Sequence, residues 1–122
     1  MDVMTEESTE KIARAFSSHR FDVALPRLAD DVIWTVVGSD PIVGRKKVKK
    51  AVERTAAQLA DVTTEFQRFR SVVGEDSVVV DSLARYTDAA GDVSIVASCD
   101  LYDFDGDGCI TEIVSYTIEL PS

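Results

Sequence analysis

Residues 30–52 read DDVIWTVVGSDPIVGRKKVKKAV, and this stretch sets the order of elements on which the fold depends. The apolar and β-branched run over 32–37 predicts a strand, because such side chains favour the pleated, half-buried surface of a sheet. Glycine and proline mark a loop at 38–44, since both interrupt regular structure. From Arg45 onward, apolar residues recur every three or four positions, which predicts a helix with one buried face.

Two short helical segments precede this stretch, and only β-structure follows it. Before it, Ile12, Ala15, Phe16 and His19 recur at helical spacing, and Asp22 is typical of the cap of a second short helix. After it, strands are predicted at 62–73, 77–87, 92–104 and 109–120, separated by hairpin turns at 74–76, 88–91 and 105–108. The prediction is one α+β domain over residues 1–122, with three N-terminal helices packed on a curved, mainly antiparallel sheet in the order α-α-β-α-β-β-β-β.

Composition narrows the range of partners. With 122 residues the chain is long enough for one core, and 45% hydrophobic with 29% charged residues is typical of a soluble globular domain. The net charge of −9 disfavours nucleic acid and anionic membranes as partners. No stretch resembles a transmembrane span and the N-terminus is acidic, so a cytoplasmic location is expected.

The two cysteines are predicted to be buried free thiols. If the turn at 105–108 joins the last two strands, Cys99 and Cys109 stand about five residues out of register. At a strand's rise this separation is roughly 16 Å. A disulfide cannot span such a distance.

The strand 92–104 is apolar or small on both faces, which predicts an assembly. A sheet in a small domain covers one face with its own helices, so a second apolar face usually needs another partner. The simplest partner is a second copy of the chain. We therefore expect a homodimer through the outer face of the sheet.

This order of elements resembles the nuclear transport factor 2-like superfamily, which includes SnoaL-like cyclases and ketosteroid isomerase. The run 29–32 before a Gly-Ser-Asp-Pro loop is similar to ketosteroid isomerase. The residues that resemble SnoaL-like proteins in the strand, the loop and the last hairpin are Trp34, Gly38, Pro41, Gly44, Arg45, Gly108, Ile110 and Tyr116.

The resemblance carries over only part of the catalytic machinery. Ketosteroid isomerase uses an aspartate base together with a tyrosine and a protonated aspartic acid. The resemblance places the protonated acid at Asp100, but it places the base near Val36 and the tyrosine at Phe16, neither of which can transfer a proton. Steroid-type isomerisation is therefore disfavoured. The second aspartate of limonene-epoxide hydrolases maps to Ser115, which breaks that constellation as well.

The resemblance also implies which side chains face a cavity. On the last two strands these are Asp100, Tyr102, Ser98, and Ser115 or Thr117. On the strand 77–87 they are Asp81, Leu83 and Arg85, unless a bulge at Gly91 reverses the faces of that strand. Val36 is a further candidate for the cavity wall. The aromatic candidates for the wall around a flat apolar ligand are Phe16, Trp34, Phe66 and Phe69, with core packing as the alternative for each.

Asp100 is the leading candidate for chemistry, because its strand neighbours are apolar. A carboxyl in such surroundings has a raised pKa and can serve as acid, base or hydrogen-bond donor. Arg85 or Asp81 would be its catalytic partner. The alternative is an ion pair between Asp100 and Arg85 that has only a structural role.

Three other signals have ordinary explanations. The acidic run 103–108 imitates a calcium loop, but Val114 occupies the position that needs a bidentate glutamate, which favours a hairpin turn. Five basic residues within 45–50 are expected to be a solvated face. His19 is the only histidine, so a histidine-rich zinc site is not expected. No metal and no cofactor are predicted.

The leading functional hypothesis is a protein that holds an apolar or aromatic small molecule between helices and sheet. If the protein is an enzyme, the resemblance implies cofactor-free isomerisation, cyclisation, dehydration or epoxide opening. The alternatives are a non-catalytic ligand-binding module and a protein-interaction domain that uses the apolar sheet face.

Overall fold

The computed structural model describes the backbone of residues 2–121 and the side chains of residues 9–121. The chain is α+β, as predicted. Its helices are α1 (Asp2–Ser17), α2 (Phe21–Ala24), a 3-10 turn (Leu25–Arg27) and α3 (Arg45–Gln58), and its strands are β1 (Leu28–Val36), β2 (Ile42–Val43), β3 (Thr63–Val73), β4 (Ser77–Thr87), β5 (Val93–Phe104) and β6 (Ile110–Leu120). The prediction omitted the short strand β2, which lies within the loop before α3.

The six strands form one sheet in the order β2-β1-β6-β5-β4-β3. Consecutive strands from β3 to β6 are antiparallel neighbours, which confirms the predicted meander. β1 lies parallel to β6 and pairs on its other edge with β2. The sheet therefore brings β1 directly beside the last strand of the chain.

The loop before α3 ends at a glycine for a backbone reason. Gly44 has φ of 96°, a left-handed conformation that other residues rarely adopt. In that position its N–H donates to the carbonyl of Val32 at 2.8 Å, and its own carbonyl accepts from the N–H of Val48 at 3.0 Å. Gly44 thereby ties the start of α3 to β1, with Val48 and Val52 of the helix fully buried.

The core lies at one end of the sheet's inner face. Val78 and Val80 of β4 and Tyr102 of β5 have 1% or less of their surface exposed, and they pack with the buried residues of α1 and α3. Toward the other end, the inner face carries polar side chains such as Ser82 and Ser98. Hydroxyl side chains fill less space than valine or tyrosine, so this end leaves a cavity.

The turn between β4 and β5 decides which side chains face the cavity. The strands close at the pair Thr87–Val93, so the loop has five residues (88–92), one more than the predicted turn at 88–91. The Asp88 carboxylate closes it by accepting from the N–H groups of Ala90 and Asp92, both at 2.9 Å. Because side chains alternate along a strand, one extra loop residue turns the opposite set of β4 side chains inward.

The cysteines and the acidic turn agree with the sequence analysis. Cys99 and Cys109 are both free, as predicted, although each is partly exposed rather than buried. In the acidic turn the Asp105 carboxylate accepts from the N–H groups of Asp107 and Cys109 at 2.9 and 3.0 Å. These contacts make residues 105–108 a hairpin turn that follows the end of β5. Among residues 2–121, no helix combines the length and apolarity needed to cross a membrane.

Candidate functional site

A cavity of about 300 Å³ lies between the end of α1, α3 and the inner face of the sheet. Residues beyond Asp100 on the inner face are fully buried, so Asp100, Ser17 and Ser115 form the closed end, the cavity floor. His19 and Tyr86, both partly exposed, form the opposite end, the cavity mouth. The wall includes seven side chains predicted from the sequence, namely Phe16, Trp34, Val36, Ser98, Asp100, Ser115 and Thr117.

Asp100 is held at the floor by two hydroxyl groups. β5 and β6 place Asp100 opposite Ser115, and the helical turn that ends α1 brings Ser17 over the same carboxyl. The Ser17 hydroxyl donates to Oδ2 of Asp100 at 2.7 Å, and the Ser115 side chain also hydrogen-bonds to this carboxyl. The carboxyl is thus fixed in orientation by neutral groups.

Two further donors support these hydroxyls. The Trp34 indole N–H donates to the Ser115 hydroxyl at 3.0 Å, and the Tyr102 hydroxyl lies 2.6 Å from Oγ of Ser17. A serine hydroxyl has one proton, so a serine that donates to Asp100 must accept from its other neighbour. The result is two donor chains, Tyr102 to Ser17 and Trp34 to Ser115, that both end on the Asp100 carboxyl and favour its ionised form.

Burial raises the pKa of Asp100 above its ordinary value, because the charged form loses solvation. The hydrogen bonds from Ser115 and Ser17 lower the pKa and offset part of that effect. Among the described residues no cation forms an ion pair with Asp100. A carboxyl in this state can accept a proton when ionised and can donate one when protonated.

The structural alternative of an Asp100–Arg85 ion pair is wrong. Arg85 lies on the outer face of β4 and pairs with Glu65 of β3 at 3.3 Å. Asp81 and Leu83 also point outward, because Ser82 between them faces the cavity. The predicted placement of all three residues in the cavity is therefore corrected, and the cause is the five-residue turn between β4 and β5.

Asp81 has a different role from the one predicted. Arg68 and Arg70 of β3 hydrogen-bond to its carboxylate at 3.0 and 2.7 Å, and these bonds lower the pKa of Asp81. The group is an ionised partner in a cross-strand cluster on the outer face. It lies on the opposite face of the sheet from the Asp100 side chain, so the sheet separates it from anything bound in the cavity.

Tyr102 lies behind the cavity wall. None of its surface is exposed, and its hydroxyl contacts Ser17. Burial, followed by the negative charge of Asp100, raises the pKa of Tyr102 well above its ordinary value, so its hydroxyl stays protonated. Its predicted contact with ligand is replaced by support of Ser17.

The sequence analysis missed seven wall residues: Ser17, His19, Phe21, Thr55, Ser82, Tyr86 and Val96. One signal was available for Ser17. It follows Ala13 by four positions, as Phe16 follows Ile12, which places both on the buried face of α1. Ser82 and Tyr86 were missed because the faces of β4 were assigned the wrong way round.

A curved six-stranded sheet closing over three helices around such a cavity defines the nuclear transport factor 2-like fold. The profile of the SnoaL-like domain family matches residues 9–113, and the chain belongs to this family. Both findings confirm the resemblance drawn from the sequence. No functionally curated protein matches the chain.

Solved structures of the same fold cover nearly the whole chain. An NTF2-like protein of unknown function from Cytophaga hutchinsonii is 26% identical with a TM-score of 0.82, over 93% of this chain and 99% of that one. A protein proposed to be a polyketide cyclase from Xanthomonas campestris is 16% identical with a TM-score of 0.71, over 92% and 91%. An epoxide hydrolase resembling limonene-epoxide hydrolase from M. tuberculosis is 19% identical with a TM-score of 0.70, over 93% and 84%.

Proposed function

We propose that this protein binds an apolar or aromatic small molecule in its cavity and transfers a proton to or from it through Asp100, without a cofactor. The observation that carries the proposal is the state of Asp100. Its carboxyl lies at the floor of a cavity lined by rings and aliphatic groups, oriented by Ser17 and Ser115. A buried carboxylate with a purely structural role is usually paired with a cation. Asp100 has no such partner among the described residues.

A single proton-transferring group favours reactions in which one carboxyl acts twice. The ionised carboxylate removes a proton from carbon, and the carboxylic acid so formed returns it elsewhere on the same molecule. Isomerisation and intramolecular cyclisation follow this course, and both are balanced without another reactant. The names of two relatives of the same fold, a proposed polyketide cyclase and an epoxide hydrolase, support small-molecule chemistry in such a cavity.

The binding half of the proposal is tested by filling the cavity. Ser98 lines the cavity on β5, so Ser98→Phe places a ring in the space. We expect its affinity for 2-naphthol, followed by the probe's fluorescence, to fall at least about tenfold, because a blocked pocket cannot bury the probe. Thr63→Phe, an exposed position on β3, is the matched control and should bind as the wild type does. Equal binding by Ser98→Phe and wild type would show that the probe does not use this cavity.

The hydrogen bond from Ser17 makes a pH prediction. If Asp100 acts as a base, the rate of the reaction that it catalyses rises with pH through the pKa of its carboxyl. Ser17→Ala removes a hydrogen bond that lowers this pKa, so the rising limb should move to higher pH. Ser18→Ala is the matched control, since the Ser18 hydroxyl donates to the backbone carbonyl of Ala15 and leaves Asp100 untouched. If the rising limb of the pH–rate profile lies at the same pH in both variants and in wild type, Ser17 does not lower the pKa of Asp100.

We also propose that the protein is a homodimer through the outer face of the sheet. The outward side chains of β5 and β6 form an apolar surface on which Leu101, Tyr116 and Ile118 are 38%, 50% and 63% exposed. Register places Ile118 beside Ala97 and Tyr116 beside Cys99, so the surface is continuous across two strands. Contiguous apolar area of this kind marks an interaction site, and a second copy offers an identical surface.

A further inference from the structure

His19 occupies a backbone position that normally belongs to glycine. It has φ of 69° and is the sole non-glycine residue with positive φ in the described chain. The N–H of Arg20 donates to the carbonyl of Ala15, and the N–H of His19 donates to that of Phe16, at 2.8 and 3.1 Å. This is the Schellman ending of α1, in which glycine is usual at the left-handed residue. A non-glycine residue in this conformation carries backbone strain, and such strain concentrates at functional sites.

The His19 imidazole lies at the cavity mouth among three other rings. Its centroid is 5.8 Å from that of Phe21, 6.0 Å from Tyr86 and 6.1 Å from Phe66. No hydrogen bond reaches the imidazole or the Tyr86 hydroxyl from residues 9–121. The floor is different, because there Asp100, Ser17, Ser115, Trp34 and Tyr102 satisfy one another. The mouth therefore offers polar atoms that only a ligand or water can engage.

Both mouth groups are uncharged near neutral pH. Burial lowers the pKa of His19, which favours the neutral imidazole with one N–H donor and one acceptor nitrogen. Burial, and then the charge of Asp100, raises the pKa of Tyr86, so its hydroxyl remains a donor. Neutral groups of this kind suit a hydroxyl or carbonyl oxygen and provide no charge to hold an anion.

The mouth and the floor are at different depths along the same strands. Tyr86 is paired with Ser94 near the start of β5, whereas Asp100 is near the end of β5. Between them the wall is apolar or small, with Val96 and Ser98 on β5. A molecule that reaches both ends has to present polar groups at its two ends and an apolar body between them.

We infer that His19 and Tyr86 form a second polar recognition point, which selects ligands carrying an uncharged hydroxyl or carbonyl group at the end remote from Asp100. This inference builds on the proposed function, since it names the class of molecule that the cavity takes. His19 and Tyr86 are specificity-determining residues in this scheme, and Asp100 is the group that transfers the proton.

Calorimetric binding of paired probes tests the inference. One pair is 2-naphthol and 2,6-dihydroxynaphthalene, and a longer pair is 4-hydroxybiphenyl and 4,4′-dihydroxybiphenyl. In at least one pair the wild type should bind the dihydroxy compound about threefold to tenfold more tightly, the contribution of one hydrogen bond. Tyr86→Phe, which removes only a hydroxyl, should reduce that preference.

His19→Gly is the second variant, because glycine adopts the left-handed conformation freely and the fold should be retained. It should reduce the same preference. A preference that persists in both variants, or its absence from the wild type, would overturn the inference. Failure of wild type to bind any of the four probes would instead refute the proposed function, so the two failures are distinguishable.

Discussion

Asp100→Asn should lower the rate of Kemp elimination of 5-nitrobenzisoxazole by about 100-fold or more, the usual contribution of a positioned general base. The substrate is flat, aromatic and small enough for a cavity of about 300 Å³. The ionised carboxylate removes the proton from the isoxazole carbon, the N–O bond breaks, and 2-cyano-4-nitrophenolate forms and is followed by its absorbance. Asparagine has nearly the same shape as aspartate but cannot accept that proton.

The control for this experiment is Asp103→Asn. Asp103 lies on the same strand three residues further on, with an exposed side chain, so its change should leave the rate unaffected. A raised pKa of Asp100 also places the rising limb of the wild-type pH–rate profile above the ordinary aspartate value of about 4. If wild type binds 2-naphthol yet is no faster than Asp100→Asn, the proposed proton transfer by Asp100 is wrong.

The second large effect concerns assembly. Ile118→Asp should convert the protein from twice the chain mass to the chain mass in light scattering at micromolar concentration. Two copies of the introduced carboxylate would be buried in an apolar contact, where an unpaired charge is strongly unfavourable. We expect the dissociation constant to rise by about 100-fold or more, since each 1.4 kcal/mol changes it tenfold.

Val23→Asp is the control for the dimer prediction. Val23 is 38% exposed, comparable with Leu101, but it lies on α2, away from the outer face of the sheet. This variant should retain the mass of two chains. A wild-type mass of one chain would refute the homodimer, and a dimer unaffected by Ile118→Asp would place the interface elsewhere.

The sequence was sufficient for the fold because its signals are local and consistent. Glycine or proline marks the turns at 38–44, 74–76, 88–91 and 105–108, and the family resemblance assigned the correct faces to β5 and β6. Asp100, Ser98 and Ser115 were therefore placed toward the cavity correctly. Trp34 was predicted as a candidate for the wall, and it lies there because β1 pairs with β6.

The errors arose where one additional loop residue changes which side chains of a strand face the cavity. The turn at 88–92 differs from the predicted one by a single residue, yet this moved Asp81, Leu83 and Arg85 outside the cavity. Nothing in the local sequence states whether Asp92 belongs to the turn or to the strand. His19 was missed for another reason, because a left-handed histidine at a helix end has no pattern that distinguishes it from an ordinary last-turn residue.

The separation of core and cavity along the sheet has a consequence for how the ligand specificity of this protein can evolve. Tyr102, Val78 and Val80, which secure the domain, lie beyond the floor, whereas His19, Tyr86 and Val96 toward the mouth pack against less of the interior. Substitutions at these three mouth positions can therefore alter which molecule is accepted at a smaller cost to folding than substitutions in the core. This separation allows the same fold to evolve specificity for new ligands, because such changes do not require changes in the hydrophobic core.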